Sequence, residues 1–432
     1  MHRDNWNLYE TLLKDYSTYH SYDGINGERM ASRLHALSEI GLTESGGSYR
    51  LGFSKEERQA KDLVIGWMKD AGLSVTEDSA GNVFGRLEGS DPDLPAVLSG
   101  SHVDSVPEGG HFDGPLGVLS SLEVAEAWKE TGYKPKRSYE VVIFTDEEGA
   151  RFNNGLTGSR AMTGEIDPSI QSGLADQDGR GFAEVLQDTG LTEEGFYQAK
   201  RSLSNIETFV EVHIEQGTRL EQEDLPVGIV SGIAGPSWLE ISFTGSAGHA
   251  GNTPMGERKD ALVAAGEFVR NVPEIPGTVS GTAVATVGKL KVLPNGANVI
   301  PGRVELVVDI RDIEEETRDE VVRLIMEAAD KAAAHYNIGC EQQQILKVKP
   351  VPIADNEKQM LGDALKACGL RTVEIPSGAG HDAMIVGHHI PAAMLFVRSK
   401  DGISHNPAEW TSLNDGVQGV HVLKTYIESI NQ

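Results

Sequence analysis

Three consecutive carboxylates, Asp146, Glu147 and Glu148, follow an apolar segment that is predicted to be a buried strand. Neighbouring carboxylates repel one another, and this repulsion costs stability unless cations compensate for it. Two adjacent glutamates can also divide the work of a metal-assisted hydrolysis, because one can bind a metal while the other takes a proton from the attacking water. A solvated surface turn is the alternative interpretation of these three residues.

Three histidines lie at predicted strand ends or in loops: His102 in GSHVD, His213 in VHIEQG and His405 in SHNPAE. Asp113 lies among glycines in GGHFDGPLG, where it could cap the following helix or bridge two cations. Each histidine alone is also compatible with a hydrogen-bonded structural role. Together with Glu148, these residues would supply two adjacent sites with nitrogen and oxygen ligands, which suit zinc, manganese, cobalt or nickel. Two adjacent metal sites are the layout of a two-metal hydrolase.

Alternating strands and helices must position these groups. Strands are predicted at residues 95–99, 139–144 and 209–212, and helices at 115–132 and from Lys55 to Ala71. The second of these helices begins with a capping-box sequence, in which Ser54 precedes Glu57 by three residues. Strands that alternate with helices predict an α/β fold with a mixed, largely parallel sheet. In such a sheet, sites form where the parallel strands end.

Residues 233–345 follow a different pattern. Strands are expected near 238–243, 282–290, 303–310 and 341–347, and helices near 258–271 and 314–336. The order β-α-β-β-α-β is typical of a ferredoxin-like sandwich. We therefore predict that residues 1–232 and 346–432 form one domain, which carries the metal-ligand candidates, and that 233–345 form a second domain inserted into it.

Charge and composition limit the partners that the chain can have. The 38 Lys and Arg against 65 Asp and Glu give a net charge of −27, which argues against binding to nucleic acid or to an anionic membrane surface. Cys340 and Cys368 are the only cysteines, too few for a disulfide framework or a thiolate metal site. No apolar run approaches the ~18 residues of a membrane span. We expect a soluble protein of the cytoplasm.

Eight sequence motifs resemble those of a known family: GSHVDSV, GGHFDGPLGV, FTDEEGARF, VEVHIEQG, GHAGNTPM, NVIPGRVELVVDIRD, PSGAGHDA and DGISHNPAEW. The chain looks like the dinuclear-metal hydrolases related to aminoacylase and carboxypeptidase G, from about residue 25 to the end. More narrowly, it resembles the branch that hydrolyses ureido groups, which contains N-carbamoyl-L-amino acid hydrolases (L-carbamoylases), β-ureidopropionase and allantoate amidohydrolase. The resemblance implies a metallopeptidase-like catalytic domain.

This resemblance implies two divalent metal ions per subunit, with manganese or zinc favoured and cobalt or nickel as alternatives. One metal would be held by His102, Asp113 and His213, and the other by Asp113, Glu148 and His405, with Asp113 as the bridge. The plain peptidase branch usually has a carboxylate at the position of His213, so the imidazole there favours the ureido branch.

The resemblance also implies roles for residues that do not bind metal. Glu147 would be the general base, Asp104 would orient His102, and His249 would stabilise the oxyanion. Substrate would be bound by Gln216, Asn298, Arg311, Gly380 and His381, with Arg311 on the substrate carboxylate. A surface salt bridge is the alternative role for Arg311, and a helix-capping loop is the alternative for His381.

The implied reaction is hydrolysis of the ureido C–N bond of an N-carbamoyl-L-amino acid to the free amino acid, carbon dioxide and ammonia. Residues 144–152 and 396–402 favour L-carbamoylases over allantoate amidohydrolase, which is the main alternative. An aminoacylase or dipeptidase and a non-catalytic binding protein are further alternatives. The partners implied are a small ureido acid and a second copy of the chain: the inserted domain would act as a lid and form a homodimer, so that His249, Asn298 and Arg311 could come from the partner subunit.

Overall fold

The computed structural model describes residues 7–431 of the chain. These residues divide into two compact units. The first unit contains the chain up to Val230, residues Ile353–Ile375 and the chain from His381 onward. The second contains Ser231–Pro352 and the short stretch Pro376–Gly380.

The first unit is built around a large sheet covered by helices. Its first five strands are β1 (Ser74–Glu77), β2 (Val83–Leu87), β3 (Ala96–His102), β4 (Tyr139–Phe144) and β5 (Ile206–Ile214). The last strand of the chain, β15 (Ala392–Val397), also belongs to this sheet. Its helices up to β5 are α1 (Leu8–Leu13), α2 (Gly27–Ser38), α3 (Lys55–Asp70), α4 (Pro115–Thr131), α5 (Thr157–Thr163), α6 (Pro168–Gln171), α7 (Phe182–Asp188) and α8 (Glu193–Tyr197). The later helices of this unit are α9 (Arg219–Gln222), α12 (Asp355–Ala367), α13 (Asp382–Gly387) and α14 (Leu413–Ile430).

The remaining strands are β6 (Val227–Ile233), β7 (Gly235–Thr244), β8 (Gly248–His249), β9 (Val284–Leu293), β10 (Val299–Ile300), β11 (Arg303–Asp312), β12 (Gly339–Lys347), β13 (Val351–Pro352) and β14 (Glu374–Ser377). Between them lie α10 (Ala261–Asn271) and α11 (Glu315–His335). The large sheet has the order β1-β2-β4-β3-β5-β15-β6-β13, and β14 also pairs with β6.

Four parallel strands form the centre of the large sheet. β4, β3, β5 and β15 pair in parallel, whereas β1, β2 and β6 join the sheet in antiparallel pairs. Every residue of β3, β4 and β15 is buried, as expected for parallel strands that carry helices on both faces. The predicted α/β class with a mixed sheet is confirmed.

Helices α3 and α4 begin where the sequence indicates. The Ser54 side chain accepts the backbone N–H of Glu57 at 3.0 Å, as a capping box requires. Helix α4 has Pro115 in its first turn and is preceded by Gly114, whose φ of +81° is in the left-handed region that favours glycine. Among residues 7–431, no side chain makes a capping hydrogen bond to this helix, so Asp113 does not act as its cap.

The second unit has the predicted order of strands and helices. β7, α10, β9, β11, α11 and β12 follow one another along the chain, and the sheet order is β12-β7-β11-β9 with antiparallel pairs throughout. β11 alternates buried and less buried residues, and its buried set packs with α10 and α11: Val304, Leu306, Val308 and Ile310. A ribbon of β8 and β10 was not anticipated; it pairs His249 with Val299.

Each unit has its own apolar core. Within residues 7–431, no helix combines the length and apolarity needed to span a bilayer.

Candidate metal centre

Predicted site residues lie at the carboxyl ends of neighbouring parallel strands, along one edge of the large sheet. His102 is the last residue of β3 and lies opposite Phe144, the last residue of β4. Glu147 and Glu148 follow β4, and His213 is next to last in β5. Because parallel strands end at the same edge, these side chains are brought together although they lie far apart in the sequence.

The first group of donor atoms consists of His102, Asp113 and His213, all three buried. Nε2 of His213 lies 3.1 Å from Oδ1 of Asp113, and Nε2 of His102 lies 3.5 Å from the same oxygen. Gly114 allows this close approach, because a Cβ there would lie 2.5 Å from Cε1 of the His102 ring.

The second group consists of Asp113, Glu148 and His405. Nε2 of His405 lies 3.5 Å from Oδ2 of Asp113 and 3.3 Å from Oε2 of Glu148. In each group the donor atoms lie within 4.8 Å of one another. Since one oxygen of Asp113 faces each group, this carboxylate has the geometry of a bridge.

The hydrogen bonds of the two buried histidines fit a cation in the first group. His102 Nδ1 donates to the backbone carbonyl of Asp104 at 3.1 Å, and His213 Nδ1 donates to that of Ile214 at 2.9 Å. A proton on Nδ1 of each ring satisfies these two bonds, and it leaves the two Nε2 atoms, which face the Asp113 carboxylate, available as metal ligands. The buried Nε2 of His102 has no hydrogen-bond partner among residues 7–431. Three converging acceptors of this kind suit a divalent cation.

The charges of the site also favour bound cations. Burial raises the pKa of Glu147 and of Glu148 well above their usual values, and neighbouring carboxylates raise both further. Burial by itself would lower the pKa of His102, but Glu147, Asp104 and Asp113 raise it well above the usual value. This crowding of acids around imidazole indicates a site that takes up positive charge, which bound cations would provide.

Asp104 contacts the turn of the two glutamates as well as His102. Its carboxylate accepts the backbone N–H groups of Glu147 and Glu148, both at 3.1 Å. Its Oδ1 lies 3.4 Å from His102 Nδ1, which donates to the Asp104 carbonyl. Asp104 thus links the end of β3 to the turn after β4.

Glu147 lies beside the donor groups without belonging to either of them. Its Oε2 is 3.6 Å from Nε2 of His102, and its side chain is 9% exposed. A carboxylate in this position can exchange a proton with a molecule that is held at the donor groups.

Two predicted substrate-binding residues of the first unit contact this centre directly. Gln216 has a left-handed backbone, with φ of 56°, and its Nε2 donates to Oδ2 of Asp113 at 2.7 Å. His381 is buried, and its ring centroid lies 4.5 Å from that of His213. Burial and the neighbouring His213 lower the pKa of His381 well below its usual value, so this imidazole is neutral.

The other predicted substrate-binding residues belong to the second unit, as does the predicted oxyanion residue. His249, Asn298 and Gly380 are exposed there. Arg311 donates through Nε and Nη2 to the two carboxylate oxygens of Asp309, at 2.9 and 2.8 Å, and through Nη1 to the Gly378 carbonyl at 2.6 Å. These bonds use three of the five guanidinium N–H groups.

Sequence reasoning did not select Ser404 and Glu409, which flank His405. Glu409 accepts the backbone N–H groups of Phe112 and Asp113, at 2.9 and 3.1 Å, and so holds the segment that carries the bridging carboxylate. The Ser404 hydroxyl lies 2.7 Å from Asp113 and 2.8 Å from Glu409. Burial and the charge of Asp113 raise the pKa of Glu409 to about 7. The only sequence signal was their position within the motif DGISHNPAEW.

Known proteins match this chain over most of its length. The chain is 46% identical to an N-carbamoyl-L-amino acid amidohydrolase of Geobacillus stearothermophilus over 399 residues, which cover 92% of this chain and 97% of that protein. It is 34% identical to an allantoate amidohydrolase of Bacillus subtilis (strain 168), over 90% of this chain and 93% of that protein.

A crystal structure of an amidase of the hydantoinase/carbamoylase family from Burkholderia multivorans has the same fold. It matches with a TM-score of 0.88 at 36% identity, over 94% of this chain and 98% of that one. Residues 98–429 match the profile of the family described as peptidase family M20/M25/M40. By this match and by the identities above, the chain is a member of peptidase family M20/M25/M40.

Proposed function

We propose that the chain is a hydrolase that cleaves the ureido C–N bond of N-carbamoyl-L-amino acids, with the free amino acid, carbon dioxide and ammonia as products. The observation that carries this proposal is the pair of donor groups that share Asp113, with Glu147 beside them. The choice of substrate is supported by the 46% identity to the amidohydrolase of Geobacillus stearothermophilus, against 34% for the allantoate enzyme.

Two divalent cations complete the site. His102, Asp113 and His213 hold one of them, and Asp113, Glu148 and His405 hold the other. When bound, two such cations lower the pKa of a water molecule and polarise a carbonyl group. Nitrogen and oxygen donors without thiolate suit manganese or zinc, with cobalt and nickel as alternatives.

Glu147 moves the proton of the reaction. It takes a proton from the attacking water and later donates it to the leaving nitrogen of the substrate. Asp104 keeps the backbone of Glu147 in place through its hydrogen bond to the N–H group.

The second unit provides the contacts that recognise the substrate. Arg311 binds the substrate carboxylate with the N–H groups that Asp309 and Gly378 leave available, and Asp309 holds the guanidinium in one orientation. His249 donates to the developing oxyanion, and Asn298 orients the ureido group. We assign further substrate contacts to Gln216, Gly380 and His381. We assign to the second unit the role of lid and dimerisation domain of a cytoplasmic homodimer, in which His249, Asn298 and Arg311 could come from the partner subunit.

Allantoate amidohydrolase activity is the second candidate, because the chain also resembles the Bacillus subtilis enzyme of that name. A product screen separates the two candidates. The metal-free protein is reconstituted with manganese, zinc, cobalt or nickel, and ammonia release is measured from N-carbamoyl-L-amino acids, N-carbamoyl-β-alanine and allantoate. N-acetyl amino acids are the amide control, and their hydrolysis is measured as release of the free amino acid. Preferred turnover of N-carbamoyl-L-amino acids is the expected result. Preferred turnover of allantoate or of the N-acetyl compounds would contradict it.

A further inference from the structure

The turn that carries Glu147 is held by side chains from other parts of the first unit. Its four successive backbone N–H groups, from Thr145 to Glu148, are each accepted by a side-chain oxygen. Asn82 accepts that of Thr145 at 3.0 Å, and Glu57 accepts that of Asp146 at 3.3 Å. The two oxygens of Asp104 accept the last two, both at 3.1 Å. The backbone conformation of residues 145–148 therefore depends on the side chains that accept these hydrogen bonds.

Asp146 is the strained member of this turn. Its φ of 53° is in the left-handed region, which residues with a Cβ adopt only when their surroundings enforce it. Gly52 packs so closely that a Cβ there would lie 1.9 Å from Oδ1 of Asp146. The Thr157 hydroxyl donates to Oδ2 of Asp146 at 2.7 Å. Since Asp146 directly precedes Glu147, its conformation sets the direction in which Glu147 leaves the turn.

Two residues one turn apart on helix α3 contact the first half of this turn. Oε1 of Glu57 accepts the Asp146 N–H and the ammonium of Lys61, the latter at 2.8 Å. Lys61 Nζ also donates to Oγ1 of Thr145 at 2.8 Å and to the Gly81 carbonyl at 3.1 Å. Both side chains are buried, with 3% and 4% of their surface exposed. Because Glu57 and Lys61 lie one helical turn apart and are bonded to each other, they contact Asp146 and Thr145, two consecutive residues of the turn, together.

The two oxygens of Glu57 have separate partners. Oε2 accepts the backbone N–H of Phe53, the residue before the Ser54 cap, at 2.6 Å. The Ser54 side chain caps helix α3 without the help of Oε1. Oε1 is directed to Lys61 and to Asp146. The contact with Lys61 is an i,i+4 ion pair within helix α3, whereas the contact with Asp146 lies outside the helix. The contact with the turn thus requires an explanation beyond capping.

We propose that Glu57 and Lys61 are positioning residues for the general base, because they hold Asp146 and Thr145 and thereby aim Glu147. They contact neither donor group and act only through the backbone and side chain of the turn. The inference rests on the proposed function in one respect, namely that Glu147 acts as the base.

The test compares Glu57→Gln with a matched control, Glu357→Gln. Glu357 is also a buried glutamate in the first turn of a long helix, α12, and it accepts the Tyr426 hydroxyl. Misplacing a reacting group by about 1 Å can cost 10²-fold in rate. We expect Glu57→Gln to lower kcat by roughly 10- to 100-fold, with KM within about twofold and metal content unchanged, because the base acts in the chemical step. Glu357→Gln should leave kcat within about twofold.

A second variant and a substrate-free measurement complete the test. Lys61→Met keeps the aliphatic part of the side chain but removes the ammonium that contacts Thr145. If Glu57→Gln does not fold, the kcat, KM and metal content of Lys61→Met are compared with those of Glu357→Gln instead. Hydrogen exchange of the peptide covering 145–148 should be faster in Glu57→Gln and Lys61→Met, and unchanged in Glu357→Gln.

Two results would overturn the inference: equal kcat in the Glu57 and Glu357 variants, or unchanged exchange at 145–148 in the α3 variants. Failure of the proposed function is a distinct result, since the wild type would then not prefer N-carbamoyl-L-amino acids in the product screen. The exchange measurement still decides on the positioning role in that case.

Discussion

Replacement of Glu147 and Glu148 by glutamine, one at a time, separates the two roles assigned to neighbouring carboxylates. The change is nearly isosteric and removes only the negative charge and one acceptor oxygen. Glu148 is one of three residues in the second donor group, so Glu148→Gln leaves only Asp113 and His405 there as strong donors. Glu147 belongs to neither group, and Glu147→Gln leaves three residues in each.

The expected magnitudes follow from this difference. Wild type and Glu147→Gln should each retain about two metal equivalents per chain, and Glu148→Gln about one, because three protein ligands are the usual number in catalytic sites. Loss of a general base costs about 10²–10⁴-fold in rate, or about 2.7–5.4 kcal/mol of transition-state stabilisation. Glu147→Gln should therefore lose turnover while it keeps its metal.

Metal content is measured by elemental analysis after desalting, and turnover by ammonia release from an N-carbamoyl-L-amino acid. Asp104 holds the backbone of both glutamates, so neither substitution removes the contacts that place the turn. If Glu147→Gln lost one metal equivalent while Glu148→Gln kept two, the two roles would be reversed. If Glu147→Gln kept full activity, general-base catalysis by this residue would be excluded.

Three further predictions concern the metals, the substrate carboxylate and the subunits. Treatment with a chelator should abolish turnover, and manganese, cobalt or zinc should restore it; full activity in a rigorously metal-free sample would exclude the two-metal mechanism. Arg311→Ala should lose roughly 2–5 kcal/mol of binding free energy for N-carbamoyl amino acids. It should lose little binding free energy for an N-carbamoyl amine that lacks the carboxylate. Equal losses on both substrates would make Arg311 structural. Mixing inactive His249→Ala with inactive Glu147→Gln should restore some activity, since a mixed dimer would contain one site with both residues intact. No recovery in verified mixed dimers would contradict the exchange of residues between subunits.

The proximity of the donor residues was predictable because it depends on strand order and chain direction. His102, His213 and the two glutamates follow parallel strands, and such strands end at a common edge. The role of Asp113 as a helix cap was an equally reasonable expectation. Asp113 does not cap the helix because Gly114, with its left-handed backbone, occupies the N-cap position of α4.

Contacts between distant loops were not predictable from local patterns. Gln216 was assigned to the substrate, yet its amide donates to Asp113, because a left-handed backbone conformation turns its side chain in that direction. The Asp309 partner of Arg311 lies two residues away on the same face of β11, so this pair was foreseen as the alternative role. Glu409 and Phe112 are separated by 297 residues, and no periodicity links such a pair.

The two donor groups differ in their access to solvent, and this difference has a consequence for how cations leave. All three residues of the first group are buried, whereas the side chain of His405 in the second is 49% exposed. A cation in the second group would lie beside this exposed imidazole, whereas a cation in the first group would be held by buried residues alone. Exchange should therefore be sequential, with a fast and a slow phase, and partial loading of the protein would leave the inner position filled.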